Sequence, residues 1–191
     1  MGALSSIGTE EAVRYLTYAL TDESADIRIS AALSLGAIGG KDVLESLTIL
    51  SRDAENSVRV AAARSLGMMK DQSAVGTLIG LLADRNGFVV TTAIESLGGI
   101  RGNEARDAII GMLSSVDDEV RRTAITALAP FENMESSLIP FLKDPDWATR
   151  IAAVRTLGRN AGGYVRKELE RLLDTEEDPT VIKAVEEILL V

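Results

Sequence analysis

Apolar residues recur along the chain at intervals of three and four, the spacing that places side chains on one face of an α-helix. Short stretches rich in aspartate and glutamate separate these segments, and both residue types are favoured in turns and at helix N-termini. Clear examples of the apolar pattern are Val43-Leu44-Leu47-Leu50, Ala74-Val75-Leu78-Leu81-Leu82, Ala105-Ala108-Ile109-Met112 and Val165-Leu169-Leu172-Leu173. The pattern predicts amphipathic helices joined by short turns.

A second helical segment alternates with the first and nearly repeats its own sequence. It contains Leu35-Gly36, Leu66-Gly67, Leu97-Gly98, Leu128-Ala129 and Leu157-Gly158, at intervals of 31, 31, 31 and 29 residues. Seven residues before each leucine is a position that we call the arginine slot, which holds Arg28, Arg59, Val90, Arg121 and Arg150, with Ile182 in a sixth copy. Such self-similarity, with a period in the range of roughly 20 to 50 residues, marks a solenoid of stacked repeats.

Six helix pairs account for almost the whole chain. No linker or low-complexity tract divides the sequence, so we predict a single solenoid domain over residues 1–191. The predicted repeats are approximately 9–39, 40–70, 71–101, 102–130, 131–160 and 161–191.

A helical wheel with about 100° per residue divides the second helices into a core side and an exposed side. Positions −1, +3, +6 and +7 from the arginine slot fall on the core side, whereas positions −2, +1 and +5 face the opposite way. A small side chain at +3 lets neighbouring helices approach closely. That position is alanine in five repeats, at Ala31, Ala62, Ala93, Ala124 and Ala153.

The segments Glu55–Gly67 and Asp117–Ala129 carry the pattern acidic-x-x-Val-Arg-x-x-Ala-x-x-x-Leu followed by a small residue. This pattern resembles the short HEAT-like repeats of the phycobilisome-lyase type. The resemblance implies an all-α fold, a right-handed alpha-alpha superhelix of the HEAT and armadillo class, in which the second helices line the concave surface. The sequence departs from the pattern at Val90 and Ile182, at Ala129-Pro130, and in a shortened fifth repeat that contains Pro140.

The arginine slot lies at the rim of the predicted core. An arginine there can bury its aliphatic stem while its guanidinium meets acidic side chains in the turns. We therefore predict that Arg28, Arg59, Arg121 and Arg150 form a structural ladder. A row of anion-binding arginines is the alternative interpretation.

The exposed side of the second helices is more apolar than an ordinary solvated face. Aliphatic and aromatic residues alternate there with arginines, which predicts a protein-binding surface with apolar anchors and cationic tethers. The candidate residues are Ile29, Leu33, Val60, Arg64, Phe88, Thr91, Arg122, Ile151 and Arg155. The alternative is that these side chains only pack across neighbouring helices.

The composition narrows the possible chemistry. The chain has no cysteine and no histidine, which excludes disulfides, thiol nucleophiles, imidazole acid-base catalysis and Cys or His metal sites. A formal net charge of −9 disfavours nucleic acid as a partner. No apolar run is long enough to cross a membrane. We expect a cytoplasmic protein without a membrane partner, a catalytic residue, a metal or a cofactor.

These observations predict a non-enzymatic scaffold or adaptor that binds a peptide or protein partner on its concave face. The resemblance also leaves open a bilin-lyase-like enzyme or a chromophore-handling subunit. The terminal sequence Ile188-Leu189-Leu190-Val191 is apolar. It is compatible with a monomer, and it also suggests either continuation into further repeats or end-to-end self-association.

Overall fold

The computed structural model describes residues 2–159 and 161–190, with side chains described for 10–159 and 161–190. Within these residues the chain forms twelve α-helices and no β-strand. The chain divides into two compact units, Met1–Ala105 and Arg106–Val191. The prediction of one continuous domain stays a prediction.

The first unit contains three helix pairs. In each pair a short turn reverses the chain, so that the second helix packs back against the first. The second helices α2, α4 and α6 lie side by side in that order. The helices are α1 (Gly2–Ala19), α2 (Ala25–Ile38), α3 (Lys41–Leu50), α4 (Asn56–Met69), α5 (Val75–Leu81) and α6 (Gly87–Ile100). A 3-10 turn at Gln72–Ala74 leads into α5.

The second unit is less regular. Here α10 packs against both α8 and α12. The helices are α7 (Asn103–Met112), α8 (Asp118–Ala127), α9 (Glu135–Leu138), α10 (Trp147–Gly158), α11 (Gly163–Leu173) and α12 (Pro179–Leu189). The first of them, α7, starts three residues before the unit boundary.

Prolines account for the irregularities of repeats four and five. The helix α8 stops at Ala127, whereas α2, α4 and α6 each extend about one turn further from the arginine slot. Pro130 lies where that extra turn would be, and proline lacks the N–H that a helix interior requires. Pro140 lies in a 3-10 segment, Ile139–Lys143, that follows the four residues of α9.

The helical wheel predicts most of the core correctly. All five alanines at position +3 are buried, and the leucines at +7 in the first five repeats are buried as well. Ile27, at position −1 of the first repeat, is an exception, since it is 45% exposed. The wheel missed position +4, which is buried in the first five repeats, at Ala32, Ala63, Ile94, Ile125 and Val154.

Glycines after the leucines permit close packing between successive second helices. A Cβ added at Gly36 would lie 2.6 Å from the Cβ of Ser65, and one at Gly67 would lie 2.6 Å from that of Ser96. Each serine is buried and donates a hydrogen bond to a carbonyl of the preceding second helix, at 2.8 Å for Ser65 and 3.0 Å for Ser96. Both glycines lie inside their helices, so they serve close approach and do not end the helix.

Candidate protein-binding surface and the arginine ladder

The arginines of the first unit connect successive turns. Arg59 uses Nε and Nη2 to donate to both carboxylate oxygens of Asp84, at 2.7 and 2.9 Å. Arg28 makes the same two-pronged contact with Asp53, at 2.9 and 3.0 Å. In both cases Nη1 donates to two backbone carbonyls of the arginine's own turn. One guanidinium therefore fixes two neighbouring turns.

The second unit repeats this arrangement with one weaker pair. Arg150 donates to both carboxylate oxygens of Glu176 at 2.7 and 2.8 Å. Arg121 approaches Asp144 only to 3.4 Å and also pairs with Asp118. The weaker contact falls at the irregular fifth repeat, where the acceptor follows its arginine after 23 residues, compared with 25 in the first unit.

The acceptor carboxylates occupy a fixed position six residues before the arginine slot. Besides binding an arginine, each accepts a hydrogen bond from the backbone N–H two residues later, as Asp84 does from Asn86 at 2.8 Å. The residues at this position are Asp22, Asp53, Asp84, Ser115, Asp144 and Glu176. The arginine of each repeat pairs with the carboxylate of the next repeat. Repeat three has Val90 in place of the arginine, and repeat four has Ser115 in place of the carboxylate that this arginine would bind, so donor and acceptor are replaced together.

The ion pairs of Arg59 and Arg150 lower the pKa of their carboxyl partners. The hydrogen bond from Arg59 holds the pKa of Asp84 below its usual value, and Arg150 does the same for Glu176. All three guanidinium nitrogens of Arg28, Arg59 and Arg150 donate within the chain. This engagement of every guanidinium nitrogen favours a structural role for these arginines over the capture of external anions.

Six of the nine candidate binding residues lie on the adjacent helices α2, α4 and α6. We call this set, together with Met68, the apolar face. Phe88 is 77% exposed, Arg64 is exposed, and the remaining four are half-buried between the helices. Those four are Ile29, Leu33, Val60 and Thr91.

Phe88 is held in place by the start of its helix. The side chain of Asn86 caps α6 by accepting hydrogen bonds from the backbone N–H groups of Phe88 and Val89, at 3.1 and 3.3 Å. Thr92 donates its hydroxyl to the carbonyl of Phe88 at 2.7 Å. A fixed backbone presents the ring to solvent, which reduces the entropy that a partner would have to remove on binding.

Met68 is part of the same face, although it is not among the residues of the predicted surface. It is 47% exposed and lies one helical turn beyond Arg64 on α4. It lies nine residues after the arginine slot of its repeat, beyond the positions −2, +1 and +5 that define the predicted exposed side, and α4 continues to Met69. Extending the wheel by one more turn would have placed Met68 on the exposed side.

The three candidates of the second unit differ from one another. Ile151 is only 7% exposed, which corrects the expectation that it faces solvent: α10 is covered on two sides, by α8 and α12. Arg122 donates to Asp146 at 2.7 Å and also pairs with Glu119, so its charge is engaged within the chain. Arg155 is exposed on α10.

Burial alone would raise the pKa of Asp146, but the hydrogen bonds from Thr149 and Arg122 outweigh it and lower the pKa to about 2. The Thr149 backbone N–H and hydroxyl both donate to the same carboxylate oxygen, at 2.8 Å each. Asp146 is thus both the cap of α10 and the partner of Arg122.

Residues 2–159 and 161–190 contain no helix long and apolar enough to cross a membrane. The same residues bring together no group of three or more acidic side chains in a geometry that could hold a metal ion.

Solved structures with a similar fold cover most of the chain. The complex of CpcE and CpcF of phycocyanin lyase from Nostoc sp. PCC7120 aligns with a TM-score of 0.66 and 21% identity, over 91% of this chain and 74% of that chain. An engineered protein aligns at 0.61 and 24%, over 93% and 95%. A designed armadillo repeat protein in complex with the peptide (KR)4 aligns at 0.61 and 18%, over 92% and 97%. These alignments confirm the predicted fold class.

Sequence comparison agrees with the fold. No functionally curated protein matches the chain. The sequence profile of HEAT repeats matches residues 2–56, 47–129 and 109–189, which together span nearly all of it. The paired helices and the repeated arginine contact agree with these matches. The chain belongs to the HEAT repeat family.

Proposed function

We propose that the protein is a non-enzymatic interaction scaffold that binds a peptide or protein partner on the apolar face of α2, α4 and α6. The observation that carries this proposal is the exposure of Phe88, 77%, on a rigid helix start. Met68 adds a second exposed apolar side chain, and Arg64 adds an exposed cation on the same helix.

The chemistry of this face suits protein recognition. Aromatic residues, methionine and arginine are enriched in the buried centres of interfaces, and a few such residues dominate the binding energy. The half-buried Ile29, Leu33 and Val60 form an apolar floor that is already largely desolvated. A partner therefore gains contact area on this face without having to remove many charged groups from water.

The fold is compatible with this role. Repeat solenoids present extended surfaces to their ligands. The designed armadillo repeat protein with a related fold was solved with a bound peptide, which supports peptide binding as a use of this architecture. The bilin-handling alternative rests on the resemblance to lyase-type repeats, and no contact in the described residues favours it.

Site-directed photo-crosslinking tests the proposal. A photoreactive phenylalanine analogue replaces Phe88 in one variant and Ile49 in another, because Ile49 on α3 is almost equally exposed, at 76%, but lies on a first helix. In an extract of the source organism we expect a discrete protein adduct from position 88 that Arg64→Glu reduces. Equal adducts from both positions would argue against a specific surface on the second helices.

A further inference from the structure

Two exposed apolar side chains lie on neighbouring turns of the second unit. Val116, before α8, is 99% exposed, and Trp147, at the start of α10, is 50% exposed. Arg121 joins these turns, since its Nη1 donates to the carbonyl of Ser115 at 2.9 Å and its Nε lies 3.4 Å from the carboxylate of Asp144. Val116 and Trp147 therefore occupy adjacent turns on one edge of this unit.

A third turn continues this edge. Arg150 donates to the carbonyl of Asp144 at 2.9 Å and to the carboxylate of Glu176 at 2.7 Å, which places the turn before α12 beside the turn before α10. We call the three turns, residues 115–119, 144–148 and 176–180, the acidic edge. It is distinct from the apolar face, which lies in the other unit.

The edge is strongly negative because its eight carboxylates outnumber the three arginines that pair with it. Arg121, Arg122 and Arg150 each pair with carboxylates of the edge itself. Two exposed carboxylates remain, those of Asp117 and Glu177, and no cation of the described residues lies within ion-pair distance of either. Exposed apolar side chains are thus combined with acidic groups that lack a counter-charge.

We propose that the acidic edge binds a basic segment of a partner protein in which arginine or lysine alternates with an apolar side chain. The apolar side chain of that segment contacts Trp147 and Val116, while its cations pair with Asp117 and Glu177. The indole also favours a cation over its face. An acidic segment or a phosphate backbone meets like charge on this edge and is excluded.

The single tryptophan of the chain provides a direct reporter, because Trp147 lies in the proposed site. The whole protein is titrated with a short synthetic peptide that alternates arginine and leucine, while tryptophan fluorescence is recorded. We expect a saturable spectral shift that weakens as salt is added. A peptide with glutamate in place of arginine is expected to give no shift. A basic peptide that binds without changing the fluorescence would overturn the proposal.

Matched charge reversals separate this site from a general attraction to an acidic protein. Glu177→Lys changes the edge, whereas Glu170→Lys changes an exposed carboxylate on α11 in the same unit. Measured by anisotropy of a labelled basic peptide, the first variant should bind about tenfold more weakly and the second about as well as the wild type. Equal weakening by both variants would show that binding follows net charge alone. Because these variants leave the apolar face intact, their failure would leave the scaffold proposal standing.

Discussion

Arg59 and Asp84 lie 25 residues apart and form a two-pronged ion pair, with N–O distances of 2.7 and 2.9 Å. Both side chains are about nine-tenths buried, with exposed fractions of 8% and 10%. The remaining nitrogen of the guanidinium donates to the carbonyls of Asp53 and Ala54, which belong to the preceding turn. The pair is thus a cross-link between successive repeats, built from one residue in each.

Removing this cross-link should destabilise the first unit. Arg59→Ala leaves the Asp84 carboxylate buried without its partner, which is expected to lower the free energy of unfolding by about 3 kcal/mol. Arg59→Lys should recover little of this loss, since an ammonium cannot reproduce the planar fork. Chemical denaturation measures both changes.

Arg64→Ala is the control for this prediction, because Arg64 is exposed on the same helix. It should change the free energy of unfolding by less than about 0.5 kcal/mol. If Arg59→Ala proves as mild as Arg64→Ala, the ladder does not stabilise the fold.

The close approach at Gly67 predicts a steric effect of one methyl group. In Gly67→Ala the new Cβ would lie 2.5 Å from the hydroxyl oxygen of Ser96, so α4 and α6 must separate. We expect a loss of about 1 to 3 kcal/mol, measured by thermal or chemical unfolding.

Gly76→Ala provides the matched comparison on α5, where an added Cβ meets nothing within 4 Å. Alanine has the higher helix propensity, so this substitution should stabilise the protein by up to about 1 kcal/mol. Effects of the same sign for both variants would contradict the packing interpretation.

The low pKa of Asp146 predicts a pH-dependent contribution to stability. Because its pKa is about 2 in the folded protein and 3.8 ordinarily, the charged form stabilises the fold above about pH 4, and this contribution is lost as the pH falls towards 2. Asp146→Asn should therefore cost about 2 kcal/mol at neutral pH. The difference from wild type should narrow steadily below about pH 4.

Asparagine suits this test because it retains a good helix cap and removes only the charge. Urea unfolding at several pH values gives the comparison, with the exposed Glu170→Gln as control. A difference between wild type and Asp146→Asn that does not depend on pH would show that the ion pair with Arg122 is not its source.

The fold could be predicted from the sequence because each repeat carries the same local information. Ala62 and Leu66 fall on one face by helical periodicity alone, and both are fully buried. The burial of Ile151 could not be read in this way, since it depends on how α8 and α12 cover α10. A wheel treats each helix in isolation and gives no account of its neighbours.

The candidate surface was predicted in outline and missed in detail for similar reasons. Phe88 and Arg64 are exposed as the wheel indicates. The contact between Arg122 and Asp146 joins residues 24 positions apart, and its register depends on the shortened fifth repeat. Met68 lies beyond the three wheel positions that define the predicted surface, on a last turn of α4 that continues past Gly67, which packs against Ser96.

The central claim is that the apolar face of α2, α4 and α6 binds the partner, and two substitutions of equally exposed apolar residues test it most directly. Phe88→Ala and Ile49→Ala each remove one such side chain, exposed by 77% and 76%. The affinity of each variant for the crosslinked partner is measured by calorimetry, and its melting temperature is recorded in parallel. We predict that Phe88→Ala weakens binding by about 30-fold or more, the equivalent of about 2 kcal/mol, with nearly unchanged melting, while Ile49→Ala binds as the wild type does. Unchanged affinity of Phe88→Ala, or equal losses in both variants, would contradict the claim.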